Sequence, residues 1–230
     1  MVRVVIDYLD QTKYGIWLTM TSFITWFSFF EIGLGNGLRN KLGEALANGD
    51  YKMAKIYIST TYAILSIVIT IVAVIFFVSN YFIDWTVILN TDQEMSTELS
   101  ILAFIVFGFF FITFVIKLIS IVLTADQRPA LANTFGPLGN LLALCTIYLL
   151  TQTTKSSLIY IGIVFSVMPI IIFIIASVYF YKKDYKNIAP SIKYVKFEYS
   201  NDLLNLGFKF FIIQIIGLIM FQSSNFIIAQ

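Results

Sequence analysis

The sequence predicts an all-α membrane protein, a polytopic bundle of about six transmembrane helices. Long apolar stretches separated by short polar connections fill most of the 230 residues. Apolar residues make up 59% of the chain and charged residues 12%, against about 45–50% and about 25% in soluble domains. Because backbone inside lipid must pair its own polar groups, apolar stretches long enough to cross a bilayer are expected to be helices.

Each predicted span has about 20 residues or more, which at a rise of about 1.5 Å per residue crosses a hydrocarbon core about 30 Å thick. The spans cover residues 14–34, 56–79, 99–124, 130–151, 157–181 and 203–229. Residues 1–13 resemble the end of a preceding helix followed by an outer loop, and residues 226–230 stop in apolar sequence without a charged anchor. We therefore expect a piece of a longer, transporter-sized protein; a complete six-helix protein is the alternative.

Positive charge alternates between the connections, which predicts the orientation of the spans. Lysine and arginine are enriched in cytoplasmic loops. The connections after the first, third and fifth spans contain Arg39, Lys41, Lys52, Lys55, Arg128, Lys182, Lys183, Lys186, Lys193 and Lys196. These connections are expected in the cytoplasm, with Lys155 as a mild exception on the other side. The basic linker of residues 182–202 is either a solvated anchor or a surface helix held to anionic lipid by its lysines.

The composition also argues against several classes of function. The chain has no histidine, so a histidine-based metal site, catalytic triad or proton relay is excluded. The single cysteine, Cys145, excludes an intrachain disulfide and fits a small apolar side chain. A net charge of +2 is too small to indicate a nucleic-acid partner. We expect no cofactor, no bound metal and no catalytic residues, hence no enzyme.

Charged residues inside predicted spans are the sharpest candidates for a functional site, because a charge in the bilayer is costly. They are Glu31, Lys117 and Lys209, each toward the cytoplasmic end of its span, and Arg39 lies just beyond the first span. Snorkelling of the long lysine stems to the headgroups is the alternative. Lys117 belongs to a polar face with Thr113, Ser120 and Thr124, which favours a position lining a cavity.

Polar and small residues recur at helical spacing on other spans, as expected for faces turned toward protein or a cavity. The second span aligns Ser59, Ser66 and Thr70; the fourth aligns Asn133, Gly136, Pro137 and Asn140; the fifth aligns Gly162, Ser166, Pro169 and Ala176; the sixth aligns Gly207, Gln214, Gly217 and Ser224. Close helix packing explains the small residues alone. The amides of Asn133, Asn140 and Gln214 need polar partners, so we interpret them as cavity residues.

Four short segments resemble polysaccharide flippases, the O-antigen and capsule repeat-unit translocators within the superfamily that includes MATE drug exporters. The segments are residues 14–17 (YGIW), 31–42 (EIGLGNGLRNKL), 49–50 (GD) and 221–225 (FQSSN). Two positions depart from the pattern: Asp10 stands where glycine is common, and Asn225 where an acidic residue is common. The resemblance implies helices two to seven of a two-lobed transporter. Residues 14–181 would then form five helices of the N-terminal lobe, 182–202 a cytoplasmic linker, and 203–230 the first helix of the C-terminal lobe.

The same resemblance implies a transporter in the bacterial inner membrane that flips polyprenyl-pyrophosphate-linked oligosaccharide to the outer leaflet for lipopolysaccharide or capsule synthesis. Arg39, Lys117 and Lys209 would meet the pyrophosphate. Asn133, Asn140 and Gln214 would bind sugar hydroxyls, with Glu31 among the polar residues of the cavity. Membrane lipids, a polysaccharide polymerase and glycosyltransferases would be partners. A drug or cation antiporter of the same superfamily, with Glu31 as its carboxylate, and a membrane enzyme of polysaccharide assembly are the alternatives.

Overall fold

The computed structural model of the chain describes the backbone of residues 2–228 and, within that range, the side chains of all but residues 26–34, 214 and 217–228. The described part contains α-helices and short 3-10 turns and no strand, which confirms the all-α class. The helices are α1 (Val2–Leu9), α2 (Gln11–Ala47), α3 (Tyr51–Asn80), α4 (Trp85–Leu89), α5 (Ser96–Ile116), α6 (Leu118–Ala125), α7 (Pro129–Ala132), α8 (Phe135–Thr153), α9 (Leu158–Lys182) and α10 (Ser200–Ile228). The 3-10 turns cover Gln93–Met95, Lys186–Ile188, Ile192–Tyr194 and Phe197–Tyr199.

Four helical segments are long and apolar enough to cross a membrane, counted over the described residues. They are Tyr51–Asn80, Gln93–Ala125, Pro129–Thr153 and Leu158–Lys182. They coincide with the second to fifth predicted spans, and they give the chain the character of a membrane-embedded protein. The first and sixth predicted spans lie in α2 and α10, helices of 37 and 29 residues that contain side chains outside the described set. The number of six spans therefore stays a prediction.

The turn between α2 and α3 shows how the sequence ends one long helix and starts the next. Gly49 has φ +68°, a left-handed conformation that glycine adopts without a steric penalty. Asp50 then caps α3, because its carboxylate accepts a hydrogen bond from the Met53 N–H at 2.9 Å. The chain reverses within three residues, so the polar end of α2 lies beside the polar start of α3.

The buried residues form two clusters, one toward each end of the bundle. One cluster joins Leu42 of α2, Ala54 of α3 and Ala125 of α6 with Tyr185 and Ile188 of the linker. The other joins Leu9, Trp17, Trp85, Leu99 and Leu158, from the segments that meet at the opposite end. The connections rich in lysine and arginine therefore share one end of the bundle, which we call the linker end.

Small residues let the helices of the bundle approach closely. A Cβ atom on Gly139 of α8 would lie 2.8 Å from Cα of Pro169 in α9. A Cβ atom on Gly162 of α9 would lie 2.5 Å from Cδ1 of Leu102 in α5. Close backbone approach through glycine is a common way of packing helices in membranes, where lipid offers no hydrophobic drive for helix association. The close contact at Gly162 agrees with the interpretation that small residues of this span serve helix packing.

Candidate functional site

Helices α2 and α10 cross at glycine residues near the linker end. A Cβ atom on Gly37 would collide with the carbonyl oxygen of Leu203 and would lie 3.2 Å from the backbone nitrogen of Gly207. Leu203 is buried at this crossing. The lack of a side chain at Gly37 therefore sets how closely α10 approaches α2 and fixes which residues flank the crossing.

A cleft of about 290 Å³ opens beside this crossing, and we call it the polar cleft. Its lining consists of Asn40, Lys41 and Glu44 of α2 with Asp202, Asn205, Leu206 and Lys209 of α10. The ammonium of Lys41 lies 3.6 Å from the carboxylate of Glu44 within α2. Two cationic, two anionic and two amide side chains thus converge from two helices that are 150 or more residues apart in sequence.

The chemistry of the polar cleft suits recognition of a polar ligand. Lysine ammonium groups donate hydrogen bonds and attract phosphate, whereas asparagine amides both donate and accept hydrogen bonds. Because the Glu44 side chain is largely exposed, its pair with Lys41 is weak and available for exchange with a ligand. Among the described residues, no three cysteine, histidine or acidic side chains come together as metal ligands would.

The structure places one of the predicted cationic residues, Lys209, in the polar cleft and another, Arg39, outside it. Lys209 lines the polar cleft. Arg39 is exposed and does not line it. Arg39 follows Gly37 by two positions, about 200° around a helix of about 3.6 residues per turn, so it lies on the side of α2 away from α10. Lys41, which the sequence marked only as a loop charge, is the cation that α2 brings to Lys209.

Lys117 lies at the junction of α5 and α6, where the helix is interrupted. Its N–H donates to the carbonyl of Thr113, and its own carbonyl accepts from the Ser120 N–H at 2.9 Å, a tighter turn than in an α-helix. The Lys117 side chain is partly buried. The hydroxyl of Ser120 is buried and has no hydrogen-bond partner among the described residues. The polar side chains of Lys117 and Ser120 thus lie where the helical hydrogen bonding between α5 and α6 is interrupted.

The helix position of Lys117 can be related to that of Glu31. Ile121 of α6 contacts Gly35 of α2, where a Cβ atom would lie 2.8 Å from its Cδ1. Both helices run toward the linker end, and Lys117 precedes Ile121 by one turn, as Glu31 precedes Gly35. The backbones of Glu31 and Lys117 therefore lie at similar depth on neighbouring parallel helices. The side chain of Glu31 falls outside the described residues.

The remaining predicted residues do not join the polar cleft in the described part of the chain. Asn133 ends α7 and Asn140 belongs to α8, and both are exposed. Helix α8 packs on α9 and α1, whereas α10 packs on α2, α3 and the last linker turn. The structure thus separates the two asparagines from Lys209. The side chain of Gln214 is outside the described residues.

An ion-paired cluster that the sequence analysis missed joins two connections at the linker end. The guanidinium of Arg128 contacts Asp184 at 2.9 Å and Asp126 at 3.2 Å, and the Tyr185 hydroxyl donates to Asp126 at 2.8 Å. We call these four residues the loop latch. The hydrogen bond to Asp184 raises the pKa of Arg128. Burial and the hydrogen bond to Asp126 raise the pKa of Tyr185. The sequence did contain a signal for this cluster. Asp126 and Asp184 lie next to basic residues in two connections that are both expected on the cytoplasmic side.

The linker is fastened along α3 by hydrogen bonds to its backbone. Ser59 Oγ accepts from the Ser191 N–H at 3.0 Å. Thr60 Oγ1 accepts from the Lys196 N–H at 3.0 Å and donates to the Lys196 carbonyl at 3.3 Å. The linker forms 3-10 turns rather than the continuous surface helix considered from the sequence. Its course beside α3 delivers the chain to the start of α10 and so positions the polar cleft.

Comparison with known proteins leaves this geometry as the main basis for a functional assignment. The chain matches no protein-family model, no curated protein and no solved structure.

Proposed function

We propose that this chain is part of a membrane transporter that moves a polyprenyl-pyrophosphate-linked oligosaccharide from the inner to the outer leaflet of a bacterial inner membrane. The observation that carries the proposal is the polar cleft, in which Lys41 and Lys209 meet amide side chains at the end of the bundle rich in lysine and arginine. The resemblance of residues 31–42 to polysaccharide flippases supplies the substrate class.

The ligand chemistry fits the residues of the polar cleft. The polyprenyl tail can stay in the bilayer, so only the pyrophosphate and the sugars need a polar path. Lys41 and Lys209 would neutralise the pyrophosphate in the polar cleft, and Lys117 would be a further cation elsewhere along the path. Asn40 and Asn205 would bind sugar hydroxyls next to them.

The crossing of α2 and α10 supplies a candidate moving contact. Helix α10 follows the linker and packs on α2 through Gly37, so the polar cleft lies between the two parts of the chain that the flippase resemblance assigns to different lobes. Alternating access in transporters commonly rocks one such part against the other around a fixed site. Rocking at this crossing would open or close the polar cleft.

A direct binding measurement tests the proposal. The purified chain in detergent should bind a polyprenyl-pyrophosphate-linked oligosaccharide, and the double variant Lys41→Ala/Lys209→Ala should bind it at least ten-fold more weakly. The matched control is Lys52→Ala/Lys186→Ala, which removes two exposed lysines outside the polar cleft. Equal affinity of both double variants would refute the assignment of the polar cleft as the pyrophosphate site.

A cation antiporter is a second candidate. Its coupling carboxylate would be Glu31, which belongs to a predicted span and whose backbone lies at a depth similar to that of Lys117 on the neighbouring helix. In that case Glu31→Gln should abolish proton- or sodium-coupled uptake of a cationic dye into vesicles, and Lys41→Ala/Lys209→Ala should leave the uptake intact.

A further inference from the structure

A second cavity lies between α3 and α5, away from the polar cleft. It is a groove of about 810 Å³. Its lining runs from Ser66 and Ile116 at the linker end to Phe77 and Phe104 at the far end. Eleven residues of helix correspond to about 16 Å, close to the depth of one leaflet in a hydrocarbon core about 30 Å thick. The groove therefore has the length of one acyl chain in a single leaflet.

Glycine and an internal hydrogen bond keep the groove open and apolar. A Cβ atom on Gly108 would lie 3.4 Å from Cζ of Phe77, so any larger side chain there would extend into the groove. The hydroxyl of Thr70 donates to the Ser66 carbonyl at 2.6 Å and is thereby satisfied within its own helix. The groove thus offers a hydrocarbon surface with few polar groups to desolvate.

The groove borders a smaller pocket beneath the linker, which we call the linker pocket. This pocket has a volume of about 260 Å³ and is lined by Ser59, Tyr62, Ala63, Ser66, Pro190, Ser191, Ile192 and Val195. Ser66 lines both cavities, so the hydrocarbon groove adjoins a pocket bordered by serine and tyrosine side chains. A long apolar groove beside a more polar pocket matches an amphipathic ligand.

The surroundings of the linker pocket are basic and amphipathic. Lys55 lies one turn before Ser59, with its ammonium 4.7 Å from the centre of the Tyr194 ring. Lys193 is exposed in the same 3-10 turn as Ile192, which is 92% exposed. An apolar side chain presented beside lysines at the end of membrane-spanning helices suits the headgroup–acyl boundary of a leaflet, where anionic lipids attract basic residues.

We propose that the groove and the linker pocket together bind one anionic two-chain phospholipid. Its phosphate lies at the linker pocket near Lys55 and Lys193, and one acyl chain lies in the groove past Gly108. The one-leaflet length of the groove favours an acyl chain over a polyprenyl chain, which is longer than one leaflet is deep. This site goes beyond the proposed transport function and does not depend on it.

The charge side of the proposal is tested by native mass spectrometry of the full chain in detergent. Dioleoyl phosphatidylglycerol is the probe, and dioleoyl phosphatidylcholine is the neutral lipid with the same chains. We expect preferential retention of one phosphatidylglycerol. Lys55→Gln/Lys193→Gln should weaken its binding on the order of five-fold per lysine, equivalent to about 1 kcal/mol for each. Lys52→Gln/Lys186→Gln, a charge-matched control, should bind as the wild type does. Equal retention of the two lipids, or equal loss in both variants, would overturn the proposal.

The hydrocarbon side is tested with a substitution that fills the groove. Gly108→Leu should lower the retention of phosphatidylglycerol at least five-fold while helix content, measured by circular dichroism, is unchanged. Gly136→Leu is the matched control, because nothing lies within 4 Å of a Cβ atom at Gly136. Unchanged retention in a folded Gly108→Leu protein would remove the groove from the site. The lysine variants test the proposal independently if Gly108→Leu fails to fold.

Discussion

Arg128 and Asp184, 56 residues apart in sequence, form an ion pair with 2.9 Å between guanidinium Nη1 and carboxylate Oδ2. The pair joins the turn after α6 to the first residues of the linker. The loop latch therefore holds the start of the segment that carries the chain to α10 and the polar cleft.

Breaking the loop latch should loosen the start of the linker. We expect Arg128→Gln to raise hydrogen exchange of the backbone amides at residues 183–188 several-fold, because Asp184 loses its partner. Arg39→Gln removes an exposed arginine that lies outside the latch, and it should leave those amides unchanged. If exchange rises equally in both variants, the Arg128–Asp184 pair does not restrain the linker.

The raised pKa of Tyr185 predicts a loss of stability at alkaline pH. The unfolded chain loses this phenolic proton near pH 10, whereas the folded chain retains it to higher pH because of burial and the bond to Asp126. Above about pH 10 the unfolded state therefore binds fewer protons, and the free energy of unfolding should fall as pH rises. Below that pH the contribution of Tyr185 is fully present.

Thermal unfolding in detergent between pH 7 and pH 11 checks this prediction. Tyr185→Phe should lower stability by about 1 kcal/mol at neutral pH through the lost hydrogen bond, and it should flatten the alkaline decline. Tyr51→Phe, at an exposed tyrosine, is the control. An unchanged alkaline decline in Tyr185→Phe would assign the pH dependence to other groups.

The four long apolar helices were predictable from the sequence because each is apolar over the length that a membrane-crossing helix needs. The interruption at Lys117 and the 3-10 turns of the linker were not, since both depend on contacts rather than on local pattern. Helical spacing predicted that Ser59, Ser66 and Thr70 share a face turned toward protein or a cavity, but only Ser59 is buried, and its partner, the Ser191 N–H, is 132 residues away. No periodicity within α3 can identify such a partner.

The set of residues that line the polar cleft was also not predictable from the sequence. Lys209 was singled out because a charge inside a span is costly, but Arg39 was paired with it from position along the chain alone. Which residues of α2 face α10 depends on the rotation of α2 at the Gly37 crossing, and that rotation turns Lys41 toward Lys209. The contact of Gly37 with Leu203 is a tertiary contact between distant segments, and no spacing of residues in a single sequence predicts it.

A large side chain at Gly37 should separate α2 from α10. In a Cys145→Ser background, we expect Asn40→Cys and Asn205→Cys to form a disulfide readily, because both positions line the polar cleft. Adding Gly37→Leu should slow that reaction at least ten-fold, since its Cβ would meet the Leu203 carbonyl oxygen. Gly15→Leu, at an open position of the same helix, should not change the rate. Equal rates would mean that Gly37 does not set the crossing.

Substitution of Lys117 tests whether its ammonium contacts the substrate or only reaches the lipid headgroups. If its ammonium contacts the pyrophosphate, Lys117→Ala should weaken binding of the lipid-linked oligosaccharide at least ten-fold at equal membrane levels, and Lys117→Arg should retain part of the affinity. Wild-type affinity in both variants would mean that Lys117 only reaches the headgroups, as long lysine stems can do.

Flipping of a lipid-linked oligosaccharide in proteoliposomes tests the central claim most directly. Vesicles are loaded with a fluorescent polyprenyl-pyrophosphate oligosaccharide, and a membrane-impermeant quencher or glycosidase reports the fraction in the outer leaflet. The proposed function predicts that vesicles containing the complete transporter of which this chain is part transfer the substrate, that Lys41→Ala/Lys209→Ala abolishes the transfer and that Lys52→Ala/Lys186→Ala keeps it. The same rate in vesicles with and without the protein would contradict it.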